Sequence, residues 1–194
     1  MGRQREFDER QVLAQATRLF WREGYAATTY EALYRATGVT ARSLINAFGD
    51  KEQLFRVCLT GYLSEIRERL EECLNPPGSA GIVRFFAAIA AAPPADSRNQ
   101  GCLIANLVPN LPVFDEQTVA LVREFRRCIR QSFAAALRAD RVPYAEQRAQ
   151  LLGTLLWGAS TEIRLQGSVG ALAPLVEELE RLVDQWRREG RQRR

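Results

Sequence analysis

The sequence predicts an all-α protein, with an N-terminal three-helix helix-turn-helix domain over residues 1–50 and a larger helical domain over residues 51–194. Three observations lead there. Apolar residues recur at helical spacing, as in Leu54, Phe55, Cys58, Leu59, Tyr62 and Ile66. The periodic stretches are separated by glycine, proline and short polar residues, the signals that stop and restart helices. Residues 24–55, GYAATTYEALYRATGVTARSLINAFGDKEQLF, read as short helices joined by tight turns.

In that stretch Thr28 is the expected N-cap of helix two, with Glu31 three residues on as its capping-box partner. Gly38 suits the left-handed conformation that ends a helix. Val39 can dock on the core, and Thr40 can cap a third helix over Ala41–Phe48. Leu44 and Phe48, four apart, share a face, as do Arg42 and Asn46. Two residues separate Arg42 from Leu44, a rotation of roughly 200°. One face therefore anchors the helix, and the other offers side chains suited to guanine and adenine edges in a major groove. Gly49 ends this helix. Asp50 caps the next, which places Lys51 beside free backbone N–H groups that favour a phosphate.

Beyond Leu54 the expected helices run from about 50 to 74, 82 to 92, 101 to 110, 115 to 140, 143 to 167 and 171 to 188, divided by Asn75-Pro-Pro-Gly-Ser, Pro93-Pro94 and further prolines. The last two carry apolar stripes. Leu172, Leu175, Val176, Leu179, Leu182, Val183 and Trp186 fall at near-heptad spacing. Leu151, Leu152, Leu155, Leu156 and Trp157 are joined by small Gly153, Gly158 and Ala159, which permit close helix approach. Such stripes serve either a four-helix bundle between two subunits or an internal core.

Composition excludes more than it assigns. A 46% hydrophobic content is that of a globular chain with a sizeable core. No apolar run is long enough to span a bilayer, and MGRQREFDER is too polar for a signal peptide, so a cytoplasmic location without membrane attachment is expected. The net charge of +4 equals that of the tail 187–194 alone, which holds five arginines and one glutamate. Residues 1–52 carry eight basic and seven acidic groups. Any nucleic-acid contact must therefore come from placement: Arg3 and Arg5 as an arm, Arg42 on the third helix, and Lys51, the chain's single lysine. With no histidine, Ser–His–Asp and Cys–His catalysis are excluded, and no Walker A or GxGxxG loop occurs. No enzymatic activity, metal site or cofactor is expected.

FDERQVLAQATRLFWREGY, the ATT that opens helix two, the GVT turn and NAFGDKEQLF together resemble the N-terminal DNA-binding domain of TetR-family transcriptional repressors. GCLIAN at 101–106 is similar to a segment of many TetR-type ligand domains. The chain departs at Ile45 and Ala47, where the family commonly has a tyrosine and another aromatic. The resemblance implies a homodimer that binds a palindromic operator in double-stranded DNA and releases it when a small-molecule inducer enters the C-terminal ligand-binding and dimerisation domain. It also favours the intersubunit reading of the apolar stripes. The DNA-binding residues expected on these grounds are Thr28, Thr40, Ala41, Arg42, Ser43, Ile45, Asn46 and Lys51.

Candidate ligand-binding positions among the central helices are Phe86, Ile89, Cys102, Asn106, Phe125, Trp157 and Arg164. Asn106 and Arg164 stand out because polar groups on apolar helices need partners. Cys58, Cys73 and Cys128 lie on apolar stripes as inert thiols. Cys102 opens a short helix, where the backbone dipole favours a thiolate. Two alternatives to an inducible repressor follow: a redox or electrophile sensor acting through Cys102, and a helical interaction or ligand-binding protein without DNA activity.

Overall fold

The computed structural model describes residues 7–192 except Pro94. Arg3, Arg5 and the last two arginines lie outside the described residues. Among the described residues the regular structure is nine α-helices and three short 3-10 turns, with no strand. The helices are α1 (Glu9–Glu23), α2 (Tyr30–Thr37), α3 (Ala41–Phe48), α4 (Lys51–Cys73), α5 (Ala80–Ala90), α6 (Leu103–Leu107), α7 (Glu116–Ala139), α8 (Ala145–Gln166) and α9 (Ala173–Gln192). The chain has the predicted all-α class, with an N-terminal helix-turn-helix followed by a helical C-terminal part.

Local chemistry sets the first four helices. Asp8 caps α1 by accepting from the backbone N–H of Arg10 at 2.8 Å and of Gln11 at 3.3 Å. Gly38 closes α2 in the left-handed region at φ 70°, a conformation that costs a side-chain-bearing residue about 1 kcal/mol or more. Thr40 caps α3 through the N–H of Ser43 at 3.3 Å. Asp50 and Gln53 form a reciprocal capping box at the start of α4, at 2.8 and 2.9 Å.

The cap of α2 corrects the sequence reading. Thr29 takes the position, extended at φ −99°, and accepts from the Ala32 N–H at 3.1 Å. Thr28 is fully buried and its hydroxyl donates to the Gly24 carbonyl at 2.7 Å. Glu31 pairs with Arg35 at 2.8 Å and makes no capping box.

A continuous core runs from Val12 of α1 through α4 to Trp186 of α9. The first half of α4 buries Leu54, Phe55 and Cys58 and packs against α1 and α3. Along its length α4 also meets α5 and α7. The expected helix at 101–110 is split. It ends at Leu107 and passes into a 3-10 turn over Val108–Val113, because Pro109 and Pro112 have no N–H to continue an α-helical ladder.

The α9 stripe is consumed mainly within the chain. Leu179, Val183 and Trp186 are buried, as is Leu172 in the 3-10 turn just before the helix, with α5 as the main neighbour of α9. What stays outside is on α8. Leu151 and Leu165 are 54% and 76% exposed, and Gly158, also exposed, stands seven residues from each.

Candidate nucleic-acid interface and internal chamber

Helix α3 is two-faced. Leu44 is wholly buried, and Phe48 is half-buried with its ring 6.3 Å from that of Phe7. On the far side Arg42 and Asn46 are exposed, as is Ile45 at 45%. Thr40 is exposed at the helix start and donates its hydroxyl to Ser43 Oγ at 3.1 Å, while Ala41 and Ser43 are half-buried. Thr40, Arg42, Ile45 and Asn46 thus form one outward surface edged by Ala41 and Ser43. Its chemistry is one fork of N–H donors, one amide, one hydroxyl and one aliphatic side chain, a set able to read base edges and thymine methyl groups. On α2 the sequence reading missed Tyr34, which is 52% exposed.

Two expected DNA contacts are placed differently. Thr28, buried with its hydroxyl engaged, offers no side chain to solvent. Lys51 turns inward. Its ammonium donates to the Tyr25 carbonyl at 3.2 Å and the Thr28 carbonyl at 3.1 Å, and stands 4.4 Å from the centroid of the Tyr25 ring. It staples the α1–α2 loop to the start of α4. The competing pull is local: two carbonyls near the end of an aliphatic stem, with an aromatic face alongside.

That staple belongs to a larger junction. Tyr25 lies against Phe114 and Phe55, with centroids 4.6 and 5.2 Å apart. Arg56 of α4 donates to Asp115, Gln117 and Thr118 where α7 begins, and Glu52 accepts the Asp115 backbone N–H at 2.9 Å. The Thr118 N–H, together with the Arg56 charge, holds the Asp115 carboxyl below the usual range. α4 is thereby fastened to both α1 and α7 within its first two turns.

Further in, α1, α4, α5, α7 and α8 enclose a small chamber of about 60 Å³ with an almost wholly apolar wall. Trp21, Tyr62, Phe85, Phe125, Leu156 and Ile163 supply much of it. Trp21 and Tyr62 meet edge to face at 5.0 Å, and the Trp21 indole N–H donates to the Gly101 carbonyl at 3.0 Å. Gly101 is at φ 78°, and a Cβ there would stand 2.5 Å from the Ser160 carbonyl oxygen, so only glycine lets this segment lie on α8.

Of the candidate ligand-binding residues, Ile89, Cys102 and Phe125 line the chamber. Cys102 and Phe125 also line a second groove of about 300 Å³ between α7 and α8, together with Trp157, over which the Arg126 guanidinium stacks at 5.2 Å. Phe86, Asn106 and Arg164 are outside both walls. Phe86 packs in the core beside Phe133. Asn106 donates to the Gln100 carbonyl at 2.9 Å, and Arg164 reaches the same oxygen at 3.4 Å from an exposed position. Both tie down the loop before α6, so their partners are backbone. The sequence reading missed Trp21, Tyr62 and Arg69, although Tyr62, Ile66 and Arg69 form a visible i, i+4, i+7 stripe on α4.

Cys102 does not have the expected thiolate character. Burial pushes its thiol pKa up, outweighing the hydrogen bonds from the Tyr62 hydroxyl, 3.3 Å away, and from the α6 backbone. A five-residue helix supplies too weak a dipole to reverse this. Burial also raises the Cys58 thiol, to about 11.

Residues 12–58, spanning most of α1 to the start of α4, match the family described as bacterial regulatory proteins, tetR family. The chain belongs to the TetR family. This TetR-family chain is 34% identical over 108 residues to the HTH-type transcriptional repressor ComR of Escherichia coli (strain K12), a match covering 54% of this chain and 51% of ComR. It is 35% identical over 79 residues to the uncharacterized HTH-type transcriptional regulator YezE of Bacillus subtilis (strain 168), covering 41% of each. The chain therefore matches about half the length of these relatives. Whole-fold likeness extends further. The TetR family regulator CifR, as a cysteine mutant complexed with 26-bp double-strand operator DNA, superposes with a TM-score of 0.77 at 27% identity, over 93% of this chain and 98% of CifR. The reduced form of E. coli NemR shares the fold, with a TM-score of 0.74 at 19% identity over 89% and 94%.

Proposed function

We propose that this TetR-family chain is a ligand-responsive transcriptional repressor without enzymatic activity. As a cytoplasmic homodimer it binds a palindromic operator and releases it when a small molecule occupies the C-terminal helices. Residues 1–50 read DNA, and residues 51–194 bind ligand and dimerise. The observation that carries the proposal is the division of α3, in which Leu44 is buried while Arg42 and Asn46 project outward with Ile45 and Thr40. CifR, similar across nearly its whole length, is a regulator complexed with operator DNA, which supports the same use of this surface.

In this reading Thr40, Ala41, Arg42, Ser43, Ile45 and Asn46 meet the major groove, with Arg42 the principal base reader. Thr28 and Lys51 act behind the surface and hold it in place. One eight-residue helix contacts too few base pairs to select a site. Two of them, spaced by a helical turn of DNA or a multiple of it, read a two-fold symmetric operator. The exposed Leu151, Gly158 and Leu165 of α8 supply the surface for pairing. Release needs no ligand at the DNA face. A ligand that favours a different tilt of α4 changes the spacing of the two α3 helices by an amount set by its differential affinity for the two arrangements. Sensing by a Cys102 thiolate is not favoured, because the thiol is held protonated.

The test is a gel shift of the full chain against the DNA upstream of its own coding sequence, with sedimentation at micromolar concentration. A retarded band that unlabelled random DNA does not compete away, from a dimeric protein, is the expected result. Equal affinity for random DNA rejects operator recognition, and a monomer rejects the paired reading.

A further inference from the structure

The chamber cannot hold a ligand by itself. At about 60 Å³ it falls well short of the roughly 300–1,000 Å³ of small-molecule sites. It does not stand alone, however. A groove of about 830 Å³ runs outside it between α1, α4 and the 3-10 turn at Ser97–Gln100. Groove and chamber share Trp21, Tyr62, Ile66, Arg69 and Arg98.

The polar groups inside the chamber are already satisfied. The Tyr62 hydroxyl donates to Cys102 Sγ at 3.3 Å, and Ser160 Oγ accepts the Cys102 N–H at 2.6 Å. What enters there must be apolar, since a polar group would find no partner. The two guanidiniums at the shared boundary differ. Arg98 is spent: it grips both carboxylate oxygens of Asp96, at 2.9 and 2.8 Å, and donates to the Ala88 carbonyl at 3.0 Å. Arg69 is half-buried and makes no hydrogen bond or ion pair with any described residue. It closes the stripe that begins with Tyr62 in the chamber wall. The other charges lining the groove are Arg10, Arg18 and Glu65, so the balance around Arg69 is positive once Asp96 is paired with Arg98.

We propose that the ligand of this protein is an amphipathic organic monoanion, its carboxylate on Arg69 at the shared boundary and its apolar body divided between the chamber and the groove outside it. This rests on the ligand-responsive reading above and assigns the chemical class that the reading leaves open. The wall also carries the signal. Trp21 belongs to α1, which packs against α2, the first helix of the helix-turn-helix, and its indole is fixed to Gly101 in the loop that forms another part of the chamber. A ligand body pressing between Tyr62 and Gly101 acts directly on the N-terminal helices.

The experiment is isothermal titration of the full chain, without DNA, with octanoate, 1-octanol and octylamine. Octanoate should bind at least tenfold more tightly than 1-octanol, and octylamine should be weakest. Arg69→Gln should abolish the octanoate advantage and leave 1-octanol unchanged. Arg69→Lys, which keeps the charge, should retain most of it, and Arg181→Gln, on the distant α9, should retain all of it. Circular dichroism establishes that each variant is folded. Absent octanoate binding, equal affinity for octanoate and octylamine, or an undiminished octanoate preference in Arg69→Gln each overturns the proposal. The gel shift on the same preparations separates the two readings. DNA binding without anion preference leaves the regulator standing and removes the ligand class. Anion binding without DNA binding does the reverse.

Discussion

Helices α3 and α9 are both amphipathic, and the sequence marks both for contact with something outside the chain. In α3 the polar face is the one offered outward: Arg42 and Asn46 are in solvent because Leu44 fills the core behind them. In α9 the apolar stripe itself was expected at an intersubunit seam, and Leu179, Val183 and Trp186 are instead covered by the same chain. The difference is one of information content. A chemically specific polar face states what kind of group it can meet. An apolar stripe states only that it will be covered, because burial is non-directional and any apolar neighbour satisfies it.

The largest effect should come from Trp186→Ala. Removing a buried indole from a packed core costs about 3–5 kcal/mol. Arg148, stacked over that ring at 4.7 Å, loses its support as well. In thermal or urea unfolding the loss should be the same at all protein concentrations. A midpoint that falls only on dilution would return the α9 stripe to the subunit interface.

The α8 surface is tested by contrast. Leu151 and Leu165 have little contact with their own chain. Leu151→Glu with Leu165→Glu should leave the unfolding of each subunit nearly unchanged while weakening assembly by about 1.4 kcal/mol or more, a tenfold rise in the dimer dissociation constant. Sedimentation velocity reads this directly. An undisturbed dimer would show that subunits pair elsewhere.

Arg42→Ala probes the other helix. Stability should change by no more than about 0.5 kcal/mol, as for surface substitutions generally. Operator affinity should fall by about 1–3 kcal/mol with relaxed preference at one base position. Fluorescence anisotropy against a panel of single-base operator variants distinguishes this from a backbone contact, for which the loss is equal on every sequence.

What could be read from the sequence follows the range of the forces involved. Gly38, Thr40, Gly49 and Asp50 act on neighbours within four residues, so the helix boundaries around them were legible. Thr28 and Thr29 were not separable, because either can cap. The choice fell to the buried hydroxyl contact of Thr28 with Gly24. The chamber joins Trp21, Tyr62 and Cys102, which are far apart in the chain and meet only through the packing of α1, α4 and α6. No local pattern encodes such a meeting. Asn106 and Arg164 stood out as polar groups in need of partners; Asn106 finds one in the Gln100 backbone carbonyl, which sequence could not name, while Arg164 is exposed and reaches the same oxygen from solvent.

Lys51 gives the finest test of the contrast between outward and inward chemistry. From sequence it is a cation at a helix N-terminus beside a DNA-reading helix. In the structure its ammonium is committed to the Tyr25 and Thr28 carbonyls. A half-exposed group with two charge-assisted hydrogen bonds contributes about 1–2 kcal/mol net, less than a buried one because water competes for the same carbonyls. Lys51→Ala should therefore lower the unfolding free energy by about that much. Each phosphate contact adds about 0.9 to the slope of log affinity against log salt. A staple adds nothing to that slope, so the variant should bind operator more weakly at all salt concentrations with an unchanged slope. A slope reduced by about 0.9 per subunit, with unfolding unaffected, would mean that the lysine leaves its carbonyls for a phosphate when DNA arrives.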